Sequence, residues 1–467
     1  MTVVADRVRF SPAPSGLLHL GGARTALFNH LVAARGGAFV LRFEDTDIAR
    51  SDVAYEAHLL EDLRWLGISW SEGPDVSGPC GPYRQSERAD RYAGALARLE
   101  AAGRVYRCFC HESHLAEERD IDAAEGRAPR YRGSCSTLEP DEALARAAAG
   151  EPFCWRFSVA PGRDIAVEDR VHGTVTFRSD DIGDFVVARS DGRALYDLAC
   201  VVDDTEMGIT LVIRGDDHLS NTPRQILLFE ALGATVPSYA HVPLVMGPDG
   251  RPLSKSRGAE SIASLREQGF LPSAITNHLA LLGWSDPQGR EVMTLDDLEG
   301  AFSLDRVSPS APLHDPTRLR WLNRRYMLAL PGAERAELVA RWLPAFPGVD
   351  ALEAAELVMG DLDVASDAAA LVQGVAEPLE PDGEARAALA SPVASAALSI
   401  ALDALSALPA LDVVREALKA AGLPLRDALP AVRAALTGRA HGLPMATLEV
   451  LIGATEAARR LELATRA

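Results

Sequence analysis

The chain has 467 residues, a formal net charge of −19, 48% hydrophobic residues and only six cysteines. That length allows two or three domains, each with its own core, and so few cysteines exclude a disulfide-built scaffold. No apolar run approaches the roughly 20 residues that a membrane-spanning helix needs, and the charged start does not read as a secretion signal, so a cytoplasmic protein without a membrane role is expected. The acidic balance does not exclude a polyanionic partner, because only the field at the contact itself matters.

Residues 8–10 read as a short strand, followed by a Pro/Ser/Gly turn and an amphipathic helix over 22–34. In that helix Ala23, Ala26, Leu27, His30, Leu31 and Ala34 recur at helical spacing, and Gly36 and Gly37 end it. The apolar run 38–44 supplies a second strand, and the strand-helix-strand unit predicts a Rossmann-type parallel sheet. Residues 85–193 hold three bunched cysteines and strand-like runs at 153–159 and 174–178, and read as an inserted α+β domain. The first pattern then returns, with a strand at 210–214 and a helix at 222–233 that has Thr222 as its cap, Pro223 at its first position and Gly233 after its end. From about residue 312 the chain becomes Ala/Leu-rich and helical, broken by Pro and Gly, and no strand is predicted there. The spans expected are 1–84 and 194–250 for the two halves of the parallel-sheet domain, 85–193 for the insertion, 251–323 for a connecting region and 324–467 for an all-α domain.

Three clusters carry chemistry. The segment Arg9-Phe-Ser-Pro-Ala-Pro-Ser-Gly-Leu-Leu-His-Leu-Gly-Gly22 places a rigid turn and His19 directly before a helix, where helix N–H groups, glycines and an imidazole can meet a triphosphate. The loop Pro252-Leu-Ser-Lys-Ser-Arg-Gly258 offers an ammonium and hydroxyls on a segment able to close over phosphates. Cys108, Cys110 and Cys135, with the Tyr131 phenol, form a set that suits a closed four-ligand zinc site, the alternative being three reduced thiols without metal. Arg318, Arg320, Arg324 and Arg325 form a basic cluster that is either a phosphate-contacting patch or an ordinary solvated helix face.

The first two segments, in this order, resemble the His-Ile-Gly-His and Lys-Met-Ser-Lys-Ser signatures of class I aminoacyl-tRNA synthetases. The segments Leu41-Arg-Phe-Glu-Asp-Thr-Asp47, Gly81-Pro-Tyr-Arg-Gln-Ser-Glu-Arg88, Val201-Val-Asp-Asp204 and Val212-Ile-Arg-Gly-Asp-Asp-His218 are similar to those of bacterial-type glutamyl-tRNA synthetases, and Leu429-Pro-Ala-Val-Arg-Ala-Ala-Leu-Thr-Gly438 resembles their anticodon-region motif. The resemblance spans nearly the whole chain. It implies a catalytic Rossmann-type domain, an insertion that binds the tRNA acceptor end, a stem-contact region around the Ser-Lys-Ser loop and a helical anticodon-binding domain.

The resemblance also implies roles. His19 and Lys255 are expected to be catalytic, with Gly21, Gly22 and Ser254 also binding ATP; Arg9, Ser11, Glu44, Tyr196, Cys200 and Arg214 are expected around the glutamate. Arg214 would grip the side-chain carboxylate in a two-bond fork. Asp47, Arg320, Arg324, Arg433 and Thr437 are expected to contact tRNA, and Tyr131 is the expected fourth zinc ligand, because zinc-binding relatives that glutamylate a modified tRNA base have Tyr at the matching place. The implied reaction forms glutamyl-adenylate from glutamate and Mg²⁺-ATP, then transfers the acyl group to the terminal ribose of tRNA-Glu, by a monomer. The usual pattern is broken at Ala13, Cys200, Pro252 and Ser256, and residues 359–367 lack the arginines that relatives present to the anticodon. Three readings follow: a housekeeping ligase, a duplicate that also charges tRNA-Gln or feeds a specialised pathway, and a catalytically silent tRNA-binding protein.

Overall fold

A computed structural model describes residues 5–46, 52–126, 130–253, 260–408 and 410–466. Two compact units form, one from Met1–Ser264 with Ile275–Asp315 and one from Leu265–Ala274 with Pro316–Ala467. Among the described residues, every strand lies in the first unit: β1 (Arg7–Phe10), β2 (Ala38–Leu41), β3 (Val105–Cys108), β4 (Cys154–Phe157), β5 (Asp164–Asp169), β6 (Gly173–Arg178), β7 (Phe185–Arg189), β8 (Leu211–Gly215) and β9 (Ser238–Val242).

The parallel sheet is built from local pairs. β1 runs parallel to β2 in the register Arg7↔Ala38 to Phe10↔Leu41, and β8 parallel to β9 from Leu211↔Ser238 to Gly215↔Val242. β1 lies beside β8, where the Thr210 amide donates to the Arg7 carbonyl oxygen at 2.9 Å. Val8, Val40, Leu211 and Ile213 are fully buried. Strands covered on both faces lose polar alternation, which is why these runs read as continuously apolar. The helix Leu20–Ala33 returns the chain from β1 to β2 and buries Ala23, Ala26, Leu27 and Leu31.

The mixed character expected of residues 85–193 is present, but its strands divide between two sheets. β3, β4 and β7 form an antiparallel sheet in the order β3-β4-β7, whereas β5 and β6 extend the nucleotide-type sheet in the order β6-β5-β9-β8. Burial explains the attachment: β5 alternates, with Ile165 and Val167 buried and their neighbours outward. The helix expected at 222–233 is Thr222–Ala231, with Asn221 at its N-cap. Thr222 is not the cap, because its hydroxyl accepts from Arg214 Nη2 at 2.8 Å.

The second unit is helical among its described residues and packs Val372, Leu418, Val432 and Leu461 into one apolar core. Among the described residues no single helix is long and apolar enough to cross a membrane. The buried Arg460 ties this unit together, donating to the carbonyl oxygens of Leu436 at 2.7 Å and Val375 at 3.0 Å. The helix Leu425–Thr437 ends on Gly438 at φ +77°, and a Cβ there would meet the Leu379 carbonyl oxygen. Gly438→Ala should therefore cost about 1–3 kcal/mol. Urea unfolding followed by circular dichroism checks this, and an unchanged midpoint would refute the cap geometry.

Candidate active site

The carboxyl ends of β1, β2, β8 and β9 open onto one cleft, the usual ligand position of a parallel α/β sheet. Its empty volume is about 880 Å³, counting the open mouth. Of the residues singled out from sequence, Arg9, Ser11, His19, Gly21, Gly22, Glu44, Tyr196 and Arg214 all line it. Residues far apart in the chain, such as Arg7 and Glu72, 65 positions apart and paired at 2.6 Å, are brought together by the strand order.

His19 occupies the N-cap of the Leu20–Ala33 helix, and its Nδ1 accepts from the Gly22 amide at 3.3 Å. With Nδ1 accepting, the neutral ring carries its proton on Nε2. A Cβ at Gly21 would lie 3.2 Å from the imidazole ring, so glycine is what lets the ring fold back over the first turn. The segment that follows the Ser-Lys-Ser loop returns to this turn, with an antiparallel bridge between His19 and Ser261 and an Ile262 amide that donates to the Leu18 carbonyl oxygen at 2.9 Å. Leu253, on the other flank, lines the cleft. Ser254, Lys255 and Asp47 themselves lie outside the described residues.

Two kinds of buried arginine meet here. Arg9 and Arg42 share Asp204, with Arg9 Nε 3.2 Å and Arg42 Nη1 2.7 Å from Asp204 Oδ1, and Arg42 Nη2 also reaches Glu44 Oε1 at 3.3 Å. Arg88 pairs with the neighbouring Asp203 at 2.6 Å. Arg214 differs. Its Nε donates to His241 Nε2 at 3.1 Å, Nη2 to Thr222 Oγ1 at 2.8 Å and Nη1 to the Tyr196 hydroxyl at 3.3 Å, all neutral groups. Among the described residues no carboxylate pairs with it. A guanidinium has five N–H groups, so two remain for a ligand carboxylate.

Other groups complete the site. Burial raises the Glu44 carboxyl above its usual value, against the pull of Arg42 and Arg9. Ser11 Oγ is buried with no hydrogen-bond partner among the described residues. Cys200 does not line the cleft. Its thiol lies behind it, 3.6 Å from Arg9 Nη2 and 3.7 Å from Arg42 Nη2, and burial pushes it up to about 12. His218, quoted in a motif but given no role from sequence, also lines the cleft and contacts the Tyr196 hydroxyl through Nδ1 at 3.1 Å. Burial, then Arg214, lower its pKa to about 4, so it is neutral at physiological pH.

The other expected sites form elsewhere. The Sγ atoms of Cys108, Cys110 and Cys135 lie within 4.8 Å of one another, and the Tyr131 hydroxyl is 3.5 Å from Cys108 Sγ and 3.3 Å from Cys110 Sγ. In the second unit, Arg433 and Thr437 share a cleft with Arg439 and His441. Arg320 and Arg324 do not stand as unpaired cations: Arg320 Nη2 pairs with Asp367 at 2.6 Å, and Arg324 Nη1 pairs with Asp363 at 3.4 Å. The basic cluster read from sequence is thus partly neutralised by acids of the segment that lacks arginines.

A parallel sheet with a His-capped glycine turn at its carboxyl edge, in one chain with a helical unit, defines the class. The family description "tRNA synthetases class I (E and Q), catalytic domain" matches residues 5–321, and "Anticodon binding domain" matches residues 334–465. The chain is 40% identical to the glutamate–tRNA ligase of Carboxydothermus hydrogenoformans over 97% of its own length and 98% of that protein's. It is 40% identical to glutamate–tRNA ligase 2 of Syntrophus aciditrophicus over 99% and 98% of the two chains. Among solved structures, a glutamate tRNA ligase of Elizabethkingia meningosepticum in complex with its amino acid superposes with a TM-score of 0.83 at 28% identity, covering 99% of this chain and 100% of that one. The chain belongs to the glutamate–tRNA ligase family.

The Asp204 pairs can be tested by acid. Burial pushes this carboxyl up, but Arg9 and Arg42 outweigh burial and hold it at about 2. The ordinary value is about 3.9. A depressed carboxylate contributes stability that is present above about pH 4 and lost as pH falls through about 2. Asp204→Asn should lower stability at neutral pH by about 3–5 kcal/mol, since buried Arg9 loses its paired carboxylate and Arg42 keeps only Glu44 and Asp203, and should remove that acid limb. Urea titrations across this range check both effects, and a neutral-pH loss below about 1 kcal/mol would contradict the assignment.

Proposed function

We propose that this chain is a glutamate–tRNA ligase that activates glutamate with ATP and transfers it to the 3′-terminal adenosine of tRNA-Glu. The observation that carries the reading is Arg214, a buried guanidinium held by neutral partners at the cleft with two N–H groups left over. Such a group is matched to one acidic side chain, because an unpaired buried charge is costly until a carboxylate arrives.

Around that anchor, the Glu44 carboxylate suits the substrate ammonium, and the unpartnered Ser11 hydroxyl suits a substrate polar atom. The glutamate α-carboxylate attacks the α-phosphorus of ATP and pyrophosphate leaves; Mg²⁺ enters with the nucleotide as part of that substrate. His19, with its proton on Nε2, is suited to donate to phosphate oxygens, and Lys255 supplies a second cation. The adenylate's acyl group then passes to the terminal ribose hydroxyl and AMP leaves. Alignment and charge neutralisation account for the acceleration, and no protein nucleophile is invoked.

Zinc in the thiol cluster is part of the same reading. Tetrahedral Zn–S bonds of about 2.3 Å require sulfur atoms about 3.8 Å apart, and Cys110 Sγ to Cys135 Sγ is 3.5 Å. Cys108, Cys110, Cys135 and Tyr131 would hold the ion, which would tie β3 to the 131–135 turn as a structural staple. Dialysis against a chelator should then remove about one zinc per chain and lower the melting temperature, and Tyr131→Phe should weaken retention about 10-fold or more. Metal analysis of purified protein without zinc would remove this part.

A second reading, a duplicate that also charges tRNA-Gln, is favoured by the pairing of Arg320 and Arg324 with Asp367 and Asp363, which leaves less cationic reach toward RNA. Pyrophosphate exchange with glutamate, with and without tRNA-Glu and tRNA-Gln, separates the readings. Exchange with tRNA-Glu alone supports the first, glutamylation of both tRNAs supports the second, and no exchange by folded protein in any mixture would leave a silent binder. Arg214→Ala should abolish glutamate use, about 10³-fold in kcat/KM, while tRNA affinity holds within about 2-fold. Equal loss of both would overturn the role of Arg214.

A further inference from the structure

Arg214 is aimed by residues outside the cleft. On the three neighbouring strands β8, β9 and β5, Arg214 stands directly across from His241 in the parallel register, and Asp169 pairs with Tyr239 two places before it. Asp169 Oδ2 accepts from the His241 amide at 2.9 Å and lies 2.7 Å from His241 Nδ1, while its Oδ1 accepts from the amides of Val171 at 2.8 Å and His172 at 2.9 Å. His241 and Asp169 are both buried, and His241 does not line the cleft.

The proton bookkeeping has one solution. An ionised carboxylate only accepts, so His241 Nδ1 must donate to Asp169. Burial, the largest influence, lowers the His241 pKa and, with Arg214, outweighs the upward pull of Asp169, so the ring is neutral and its single proton is on Nδ1. Nε2 therefore carries the lone pair, facing the Arg214 Nε–H at 3.1 Å and the Thr222 hydroxyl at 3.0 Å. With the opposite tautomer, an imidazole N–H would point at a guanidinium N–H. Tyr239 stacks on His241 with 5.8 Å between ring centroids and 12° between planes, which restrains the ring's tilt.

We infer that Asp169 and His241 are positioning residues for substrate recognition: Asp169 selects the His241 tautomer, and the His241 lone pair locks the Arg214 guanidinium so that its two remaining N–H groups face an acidic side chain. Asp169 ends a strand from the middle of the chain, so a segment remote from the cleft sets the aim of its specificity cation. This rests on the reading of Arg214 as the carboxylate grip.

The two amide isosteres of histidine separate a tuned acceptor from mere packing. His241→Gln can place an oxygen where Nε2 stood; His241→Asn keeps only the Nδ1 end. In tRNA-dependent pyrophosphate exchange with glutamate, H241N should raise the glutamate KM about 10-fold or more, H241Q within about 3-fold, and the ATP KM should move less than about 2-fold in both. Asp169→Asn, which reverses the donor to Nδ1, should behave like H241N. Equal glutamate KM values in H241N and H241Q, or glutamate and ATP KM rising together, overturn the inference. If the H241N protein does not fold, Thr222→Val is read in the same assay: a glutamate KM raised about 3-fold supports the lock, and a wild-type value overturns it. Arg214→Ala run alongside separates the two levels. Retained glutamate KM in R214A removes the underlying reading, whereas loss in R214A with wild-type behaviour in H241N removes this inference alone.

Discussion

Asp204 holds Arg9 and Arg42 in a space from which water is excluded, and the rest of the cleft depends on that shared charge. Either guanidinium alone at this depth would carry an unpaid desolvation cost of several kcal/mol. With the carboxylate between them, Arg9 can line the cleft while Arg42 is fully buried, and Arg42 has a further hand for Glu44. The arrangement also isolates Arg214. Because the buried acids are already shared among Arg9, Arg42 and Arg88, Arg214 is stabilised by an imidazole, a hydroxyl and a phenol. Its positive field is left for a ligand.

Paired arginines stand at the ends of β1 and β2, and Arg214 on β8, which has no carboxylate partner among the described residues, lines the same cavity. His218 beside Tyr196 is neutral and so adds no charge next to Arg214. The same logic runs in reverse in the second unit. There Asp363 and Asp367 occupy Arg324 and Arg320, so the cationic character of the Pro316–Ala329 helix is reduced by its own fold.

The thiol cluster shows how a small motif is assembled. Cys108 and Cys110 leave β3 at its end, and the 131–135 turn brings Cys135 and the Tyr131 hydroxyl to the same point, where that hydroxyl also accepts from the Cys135 amide at 2.7 Å. The turn is thus closed by its own hydrogen bond.

Much of the site was legible along the chain. His19 at a glycine-rich helix start, Glu44 at the end of an apolar run and Arg214 closing a strand sit where short-range pattern fixes backbone geometry, so their places at element ends followed from periodicity and turn chemistry, while their expected roles came from the family resemblance. What stayed hidden depends on contacts between distant segments. Thr222 read as a helix cap, yet its hydroxyl accepts from Arg214; Arg320 and Arg324 read as either a phosphate-contacting patch or a solvated helix face, yet acids 47 and 39 residues on pair with them. Asp169 and His241, 72 positions apart, gave no signal at all. Local propensity specifies which residues form strands and helices. Which strand lies beside which is decided only when the end of β5 pairs with β9, and that neighbour choice, not any motif, puts a carboxylate, an imidazole and a guanidinium in line.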